Sequence, residues 1–128
     1  MTEQELLSLP DEAYMDAAQQ EFFRELLLSQ RAELQERISG EFQVMREFEP
    51  SSDPSDLGTV EEQRQWQLRL LEREKKLLDK IDEALERISR AEYGWCKETG
   101  EPIGLRRLLL RPTATLSIEA KERHMRES

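Results

Sequence analysis

Two aspartates, Asp53 and Asp56, lie in the stretch Pro50-Ser51-Ser52-Asp53-Pro54-Ser55-Asp56-Leu57-Gly58. Its two prolines remove backbone donors and disfavour helix in the residues before them. Residues 47–62 hold six acids (Glu47, Glu49, Asp53, Asp56, Glu61, Glu62) and no base. A concentrated negative charge on a connection suits insertion into a basic or metal-containing channel. A purely local reading also accounts for the pair: Asp53 caps a helix whose first residue is Pro54, and Asp56 complements the helix dipole. Both readings stay open at this point.

A second constellation is defined by what it lacks. Cys96-Lys97-Glu98-Thr99 and Ser117-Ile118-Glu119-Ala120 have the spacing of two Cys-x-x-Cys pairs, with 17 residues between them and one cysteine left. Structural zinc takes four ligands, usually thiolates or imidazoles. The hydroxyls of Thr99 and Ser117 are poor replacements and Ala120 offers no donor, so no bound metal is expected. Leu105, Leu108, Leu109, Leu110, Leu116 and Ile118 are the expected apolar substitute for the metal, and Cys96 reads as a small buried residue, not a redox centre. No catalytic residues are assigned. His124, the one histidine, sits in a charged stretch, and no nucleophile motif or Gly-rich phosphate loop is evident. Trp95 reads as a packing residue, whereas Trp66 falls off the apolar seam and is free for a partner.

Residues 103–126 hold six bases against two acids. They form either a solvated helix face or an anion site shared by Arg111, Lys121 and Lys80, whose chemistry suits a polyphosphate. The whole chain carries a net charge of −9, which argues against direct, sequence-specific DNA binding, since affinity for nucleic acid comes from neutralising phosphates. No apolar run approaches the roughly 18 residues of a membrane span. The acidic start, Met1 to Glu5, is unlike a signal peptide, and a single cysteine allows no internal disulfide. A cytoplasmic protein is expected.

The elements that position these groups are mainly α. Hydrophobic and charged residues each make up 37% of the 128 residues, with Leu, Glu, Arg and Gln abundant, as in long helices. Residues 1–25 are read as an N-terminal arm joining a globular base, loosely ordered over 1–14 apart from a turn near Glu3–Leu7. Asp16 and Gln19 form a capping-box start. Phe23, Leu27, Leu34, Ile38, Phe42, Met45 and Phe48 then mark one face of a long helix, within which Gly40 favours fraying. A second start is expected at Thr59-Val60-Glu61-Glu62. It leads into a helix with Leu70, Leu77, Ala84 and Ala91 at one heptad position and Glu74, Ile81 and Ile88 at the other. Residues 26–91 therefore predict an antiparallel coiled-coil hairpin of two helices of about 30 residues, roughly 45 Å long, with its tip at 50–59. Gly94 is placed as the helix-ending glycine. Residues 92–128 predict a small, degenerate zinc-finger-like globular region with a turn at Gly100-Glu101-Pro102, a strand or irregular stretch over 103–110, and a final helix over 115–126.

At these residues the chain resembles the DksA family of bacterial transcription factors. The blocks that carry the resemblance are Asp53-Pro54-Ser55-Asp56, Tyr93-Gly94-Trp95-Cys96, Gly100 with Ile103-Gly104-Leu105-Arg106-Arg107-Leu108, and Arg111-Pro112-Thr113-Ala114. The resemblance runs from about Tyr14 to Lys121. It implies a monomeric, non-enzymatic regulator whose coiled-coil finger enters the secondary channel of RNA polymerase, with Asp53 and Asp56 near the polymerase active site. It further implies modulation of promoter complexes, repression of ribosomal RNA promoters, and synergy with the alarmone ppGpp in the stringent response. Arg69 and Arg73 match docking positions, and Leu77, Lys80, Arg111 and Lys121 match a ppGpp pocket formed with polymerase. Gly58 stands where the family tip has Ala, which loosens the start of the second helix. With three of four zinc cysteines absent, the chain resembles a zinc-independent paralogue requiring no cofactor of its own. A Gre-like transcript-cleavage factor and a dimerising coiled-coil scaffold are the alternatives.

Overall fold

A computed structural model describes the backbone of residues 1–47 and 54–127, and the side chains of residues 1–47 and 60–127. The element order is α1 (Glu3–Ser8), a 3-10 turn (Asp11–Ala13), α2 (Ala17–Glu47), α3 (Pro54–Ser89), α4 (Leu105–Leu110) and α5 (Ile118–Glu127). No strand forms among the described residues; Trp95 and Pro102 make an isolated antiparallel bridge. The chain divides into two compact units, one built from residues 1–29 and 81–128 and the other from residues 30–80.

The unit spanning 30–80 is a helical hairpin. Arg37, Gly40, Glu41 and Val44 of α2 face Leu70, Gln67 and Trp66 of α3, and Glu41 meets Glu74. Two long helices packed together across a connection of six residues form the antiparallel hairpin expected. The register differs from the expected stripe by one residue at two places. Phe42 is 49% exposed, and Glu41 takes the inward position instead. On α3, Leu77 is 44% exposed while Leu71 and Glu74 are buried and Leu78 is half-buried. The inward series 34, 38, 41, 45 on α2 and 71, 74, 78, 81 on α3 alternates steps of four and three, the 3.5-residue average of a coiled-coil seam. Phe42 and Leu77 are each one step out of phase. Phe48 and Asp53 lie outside the described residues.

Two helix boundaries also move. The second long helix begins at Pro54, not Thr59, which uses proline where its missing N–H is tolerated. It ends at Ser89, so Ala91 falls past the helix, in a left-handed conformation at φ 60°. Gly40 neither frays nor ends α2, which runs unbroken for 31 residues. A Cβ added at Gly40 would meet nothing within 4 Å. Gly40→Ala is therefore expected to stabilise the protein by about 1 kcal/mol, the helix-propensity difference, read as a higher midpoint in urea denaturation.

The unit spanning 1–29 and 81–128 gathers its core from distant parts of the chain. Leu6, Phe23, Leu27, Leu108 and Ala120 are fully buried, with Met15, Tyr93, Cys96 and Ile103 nearly so. The expected loose arm is instead ordered: Thr2 caps α1 by accepting from the Glu5 N–H at 3.1 Å, and α1 delivers Leu6 to the core. Asp16 Oδ1 accepts from the Gln19 N–H at 2.9 Å, which bears out that helix start. The Tyr14 hydroxyl donates to the Gly94 carbonyl at 2.6 Å and accepts from the Gly104 N–H at 2.9 Å. Burial pushes its pKa up, partly opposed by hydrogen bonds from the backbone of Gly104 and Ile103. Gly94, at φ 91°, ends no helix. A Cβ there would lie 2.7 Å from the Met15 side chain, so glycine is required by contact as well as by conformation. The stretch expected as strand or irregular contains the helix α4, because Leu105–Leu110 has to close on itself locally. The anticipated leucine core is only partly real: Leu108 is fully buried, but Leu110 is 84% and Ile118 57% exposed.

Candidate functional site

Four of the singled-out side chains share one face of α3. Arg69, Arg73, Leu77 and Lys80 are all exposed, within an unbroken helix from Pro54 to Ser89. At about 100° per residue they fall within a sector of roughly 80°. This face explains why Leu77 fails as a seam residue: it stands in water between cations. Trp66, on the same helix, is 59% exposed. Asp56 and Gly58 belong to the first turns of α3, although the Asp56 side chain lies outside the described residues. Arg111 and Lys121 are exposed in the other unit.

The four zinc-spaced positions, Cys96, Thr99, Ser117 and Ala120, come together there. Cys96 is 3% exposed. Burial pushes its thiol up, but the Thr99 hydroxyl and the N–H groups of Ser117, Thr99 and Glu98 hydrogen-bond the sulfur and prevail, lowering its pKa from 9.0 to about 6. The sulfur therefore acts as an acceptor hub joining the loop after Trp95 to the start of α5. Further bonds close the same gap. The Lys97 N–H donates to the Thr115 carbonyl at 2.9 Å and the Cys96 N–H to the Glu101 carbonyl at 2.8 Å. The Ala120 N–H donates to Ser117 Oγ at 3.2 Å. His124, expected to be merely solvated, pairs with Glu98, which sequence reasoning missed because the two are 26 residues apart. These contacts join the loop after Trp95 to the start of α5.

Titrating the thiolate absorbance of the folded protein is expected to give a midpoint of about 6, and Thr99→Val should raise it by removing the hydroxyl donor. Because the folded pKa lies below the unfolded one, the stability this thiolate confers is complete above about pH 9 and is lost as pH falls through about 6.

Two family descriptions match the chain. That of the N-terminal domain of the DnaK suppressor protein DksA covers residues 19–88, and the prokaryotic dksA/traR C4-type zinc finger covers residues 91–126. The first alone spans more than half of the sequence. This chain belongs to the DksA family. It is 45% identical over 117 residues to the RNA polymerase-binding transcription factor DksA of Caulobacter vibrioides, covering 91% of this chain and 82% of that protein. It is 36% identical over 113 residues to DksA of Escherichia coli K12, covering 88% and 75%. Its fold matches the solved structure of the transcription factor DksA2 from Pseudomonas aeruginosa with a TM-score of 0.91 and 74% identity, covering 98% of both chains.

The zinc implied by the second family description does not suit the residues present in this DksA-family chain. Ala120 is fully buried and has no donor atom, and the hydroxyls of Thr99 and Ser117 are poor zinc ligands beside the single thiol of Cys96. No group of three or more His, Cys, Asp or Glu side chains able to hold a metal occurs among the described residues. Nor is any helix among them long and apolar enough to cross a membrane.

Proposed function

We propose that this chain is a non-catalytic transcription regulator that binds bacterial RNA polymerase through its secondary channel. In this reading the α2–α3 hairpin enters the channel with Asp53 and Asp56 near the polymerase active site, where they alter promoter complexes and repress ribosomal RNA promoters together with ppGpp. The observation that carries the reading is the exposed Arg69–Arg73–Leu77–Lys80 face on the hairpin of a chain whose relatives are named RNA polymerase-binding transcription factors. Exposed arginines suit an interface as well as a solvated helix face, because Arg is enriched among the residues that carry most interface energy. Lys80 beside Leu77 in one unit, and Arg111 and Lys121 in the other, are the residues proposed to contact ppGpp once polymerase is bound. The protein acts as a cytoplasmic monomer and needs no zinc.

Binding to purified polymerase tests this directly. The wild type is expected to bind, and to bind less tightly as salt rises. Arg69→Ala with Arg73→Ala is expected to weaken binding about tenfold or more while leaving the helical circular dichroism unchanged. Equal affinities for the two proteins at low salt would place the docking face elsewhere. A chelator is expected to leave both the melting temperature and polymerase binding of the wild type unchanged, and loss of either would defeat zinc independence.

A further inference from the structure

The unit spanning 1–29 and 81–128 contains a recess that the docking face on α3 does not use. It lies between residues 7–19 and residues 102–111, bordered by Ile118, and its volume is about 840 Å³. That falls within the roughly 300–1,000 Å³ of small-molecule sites. Its wall is aliphatic, with Leu7, Leu105, Leu110 and Ile118 among the lining residues. Leu110 and Ile118 stand mostly in water at 84% and 57% exposure. An apolar wall kept open at the surface costs solvation, and a bound apolar body would recover it.

The charge on the lining is one-sided. Arg106, Arg107 and Arg111 line the recess, against Asp11 alone. Arg107 is committed to the fold, its Nε donating to the Leu116 carbonyl at 3.0 Å. Arg106 and Arg111 are exposed. A second, independent feature lies in the wall. Gln19 is fully buried and lines the recess. Its Oε1 accepts from the Met15 N–H at 2.9 Å, which fixes the amide's orientation because a backbone N–H needs an acceptor. Nε2 is thereby left as a donor with no partner among the described residues. An unpaired buried donor is costly, and it is unusual in a wall that is merely structural.

We propose that this recess binds a small amphipathic organic anion, a medium-chain carboxylate in its simplest form. The apolar body lies along Leu7, Leu105, Leu110 and Ile118, and the carboxylate pairs with the guanidinium groups of Arg106 and Arg111, whose planar donors match it. The one-sided charge selects an anion over a cation, and a concave recess of this volume selects a small molecule over a flat protein surface. The site is complete within the free chain. It does not depend on the polymerase reading, and its test contains no polymerase, so failure of one leaves the other standing.

The test is isothermal titration calorimetry of the full chain with decanoate, decyltrimethylammonium and acetate. Decanoate is expected to bind saturably with one molecule per chain, and the cation of equal chain length and acetate to give no saturable heat. Arg106→Gln with Arg111→Gln is expected to weaken decanoate about tenfold, the combined worth of two partly exposed ion pairs. Leu110→Glu, at a position too exposed to unfold the protein, is expected to abolish binding. The proposal is overturned if decanoate fails to saturate, if the cation binds as well as the anion, or if decanoate binds the arginine and Leu110 variants as it binds the wild type.

Discussion

Glu74→Leu is expected to raise the stability of the protein by about 1–3 kcal/mol, the desolvation cost of a buried polar group left without a partner. Glu74 is 4% exposed and faces Glu41 across the hairpin. One carboxyl oxygen of each is shut away from solvent with no hydrogen-bond partner. The Glu41 pKa is raised from 4.5, first by desolvation, then by a hydrogen bond to the Glu74 carboxyl and by its charge, against the opposing charge of Arg37. Two carboxyl groups can share a hydrogen bond only when one holds a proton. Above the carboxylate range that proton leaves, and two like charges face each other in the seam.

The sign of the pH dependence follows from the direction of that shift. With the folded pKa above the unfolded value of 4.5, the contribution of Glu41 to stability is complete below about 4.5 and is lost as pH rises through the folded pKa. The advantage of Glu74→Leu over the wild type should therefore grow between about pH 4 and about pH 8. Thermal melts followed by circular dichroism at both ends of that range check it. An advantage that stays constant or shrinks with rising pH would show that the two carboxyls do not interact in solution. Glu74→Gln separates charge from shape: it should recover the pH-dependent part of the gain and little of the apolar part.

Asp56→Asn is expected to leave polymerase binding within about twofold of the wild type, since docking is assigned to Arg69 and Arg73. If Asp56 lies near the active site as proposed, the change is expected to reduce the effect on a ribosomal promoter in vitro by about tenfold or more, through loss of a full charge there. The substitution keeps the side-chain shape and removes only the charge. Transcription with and without ppGpp, paired with a binding measurement on the same preparations, gives both numbers. Equal repression by variant and wild type would remove Asp56 from the mechanism. A transcript-cleavage assay on backtracked complexes is expected to show no stimulation by either protein, and stimulation that disappears in Asp56→Asn would transfer the chain to the Gre-like class.

The plan of the molecule could be read from local patterns. A helix that buries one face must repeat apolar residues at its own pitch, and a proline-rich break must interrupt it, so two long helices followed from Phe23, Leu27 and Leu34 on one side and Ile81 and Ile88 on the other. The start at Asp16 was legible because capping acts within three residues. The unsuitability of the knuckle for zinc was equally plain, since a ligand set is a matter of residue type, and Ala120 has no donor whatever the fold.

What the tertiary structure decided is which of two adjacent residues faces inward, and how distant segments satisfy one another. Leu77-Leu78 and Glu41-Phe42 each offer neighbouring candidates, and a helix alone turns either toward a partner with a small rotation. The facing helix selected Leu78 and Glu41, leaving Leu77 exposed beside cations and Phe42 in water. Thr59 and Pro54 were both acceptable helix starts, and α3 begins at the earlier one. The first 14 residues lack a period long enough to predict order. They are ordered through Leu6 in the core and through the bonds of Tyr14 to Gly94 and Gly104, 80 and 90 residues away. The same holds for Cys96, whose pKa is lowered by donors from Ser117 as well as its own loop, and for His124 with Glu98. Periodicity and capping act over a few residues and are therefore written in the sequence. Register, burial of a carboxyl pair and the hydrogen bonds of the knuckle depend on contacts across the chain, and those exist only once it has folded.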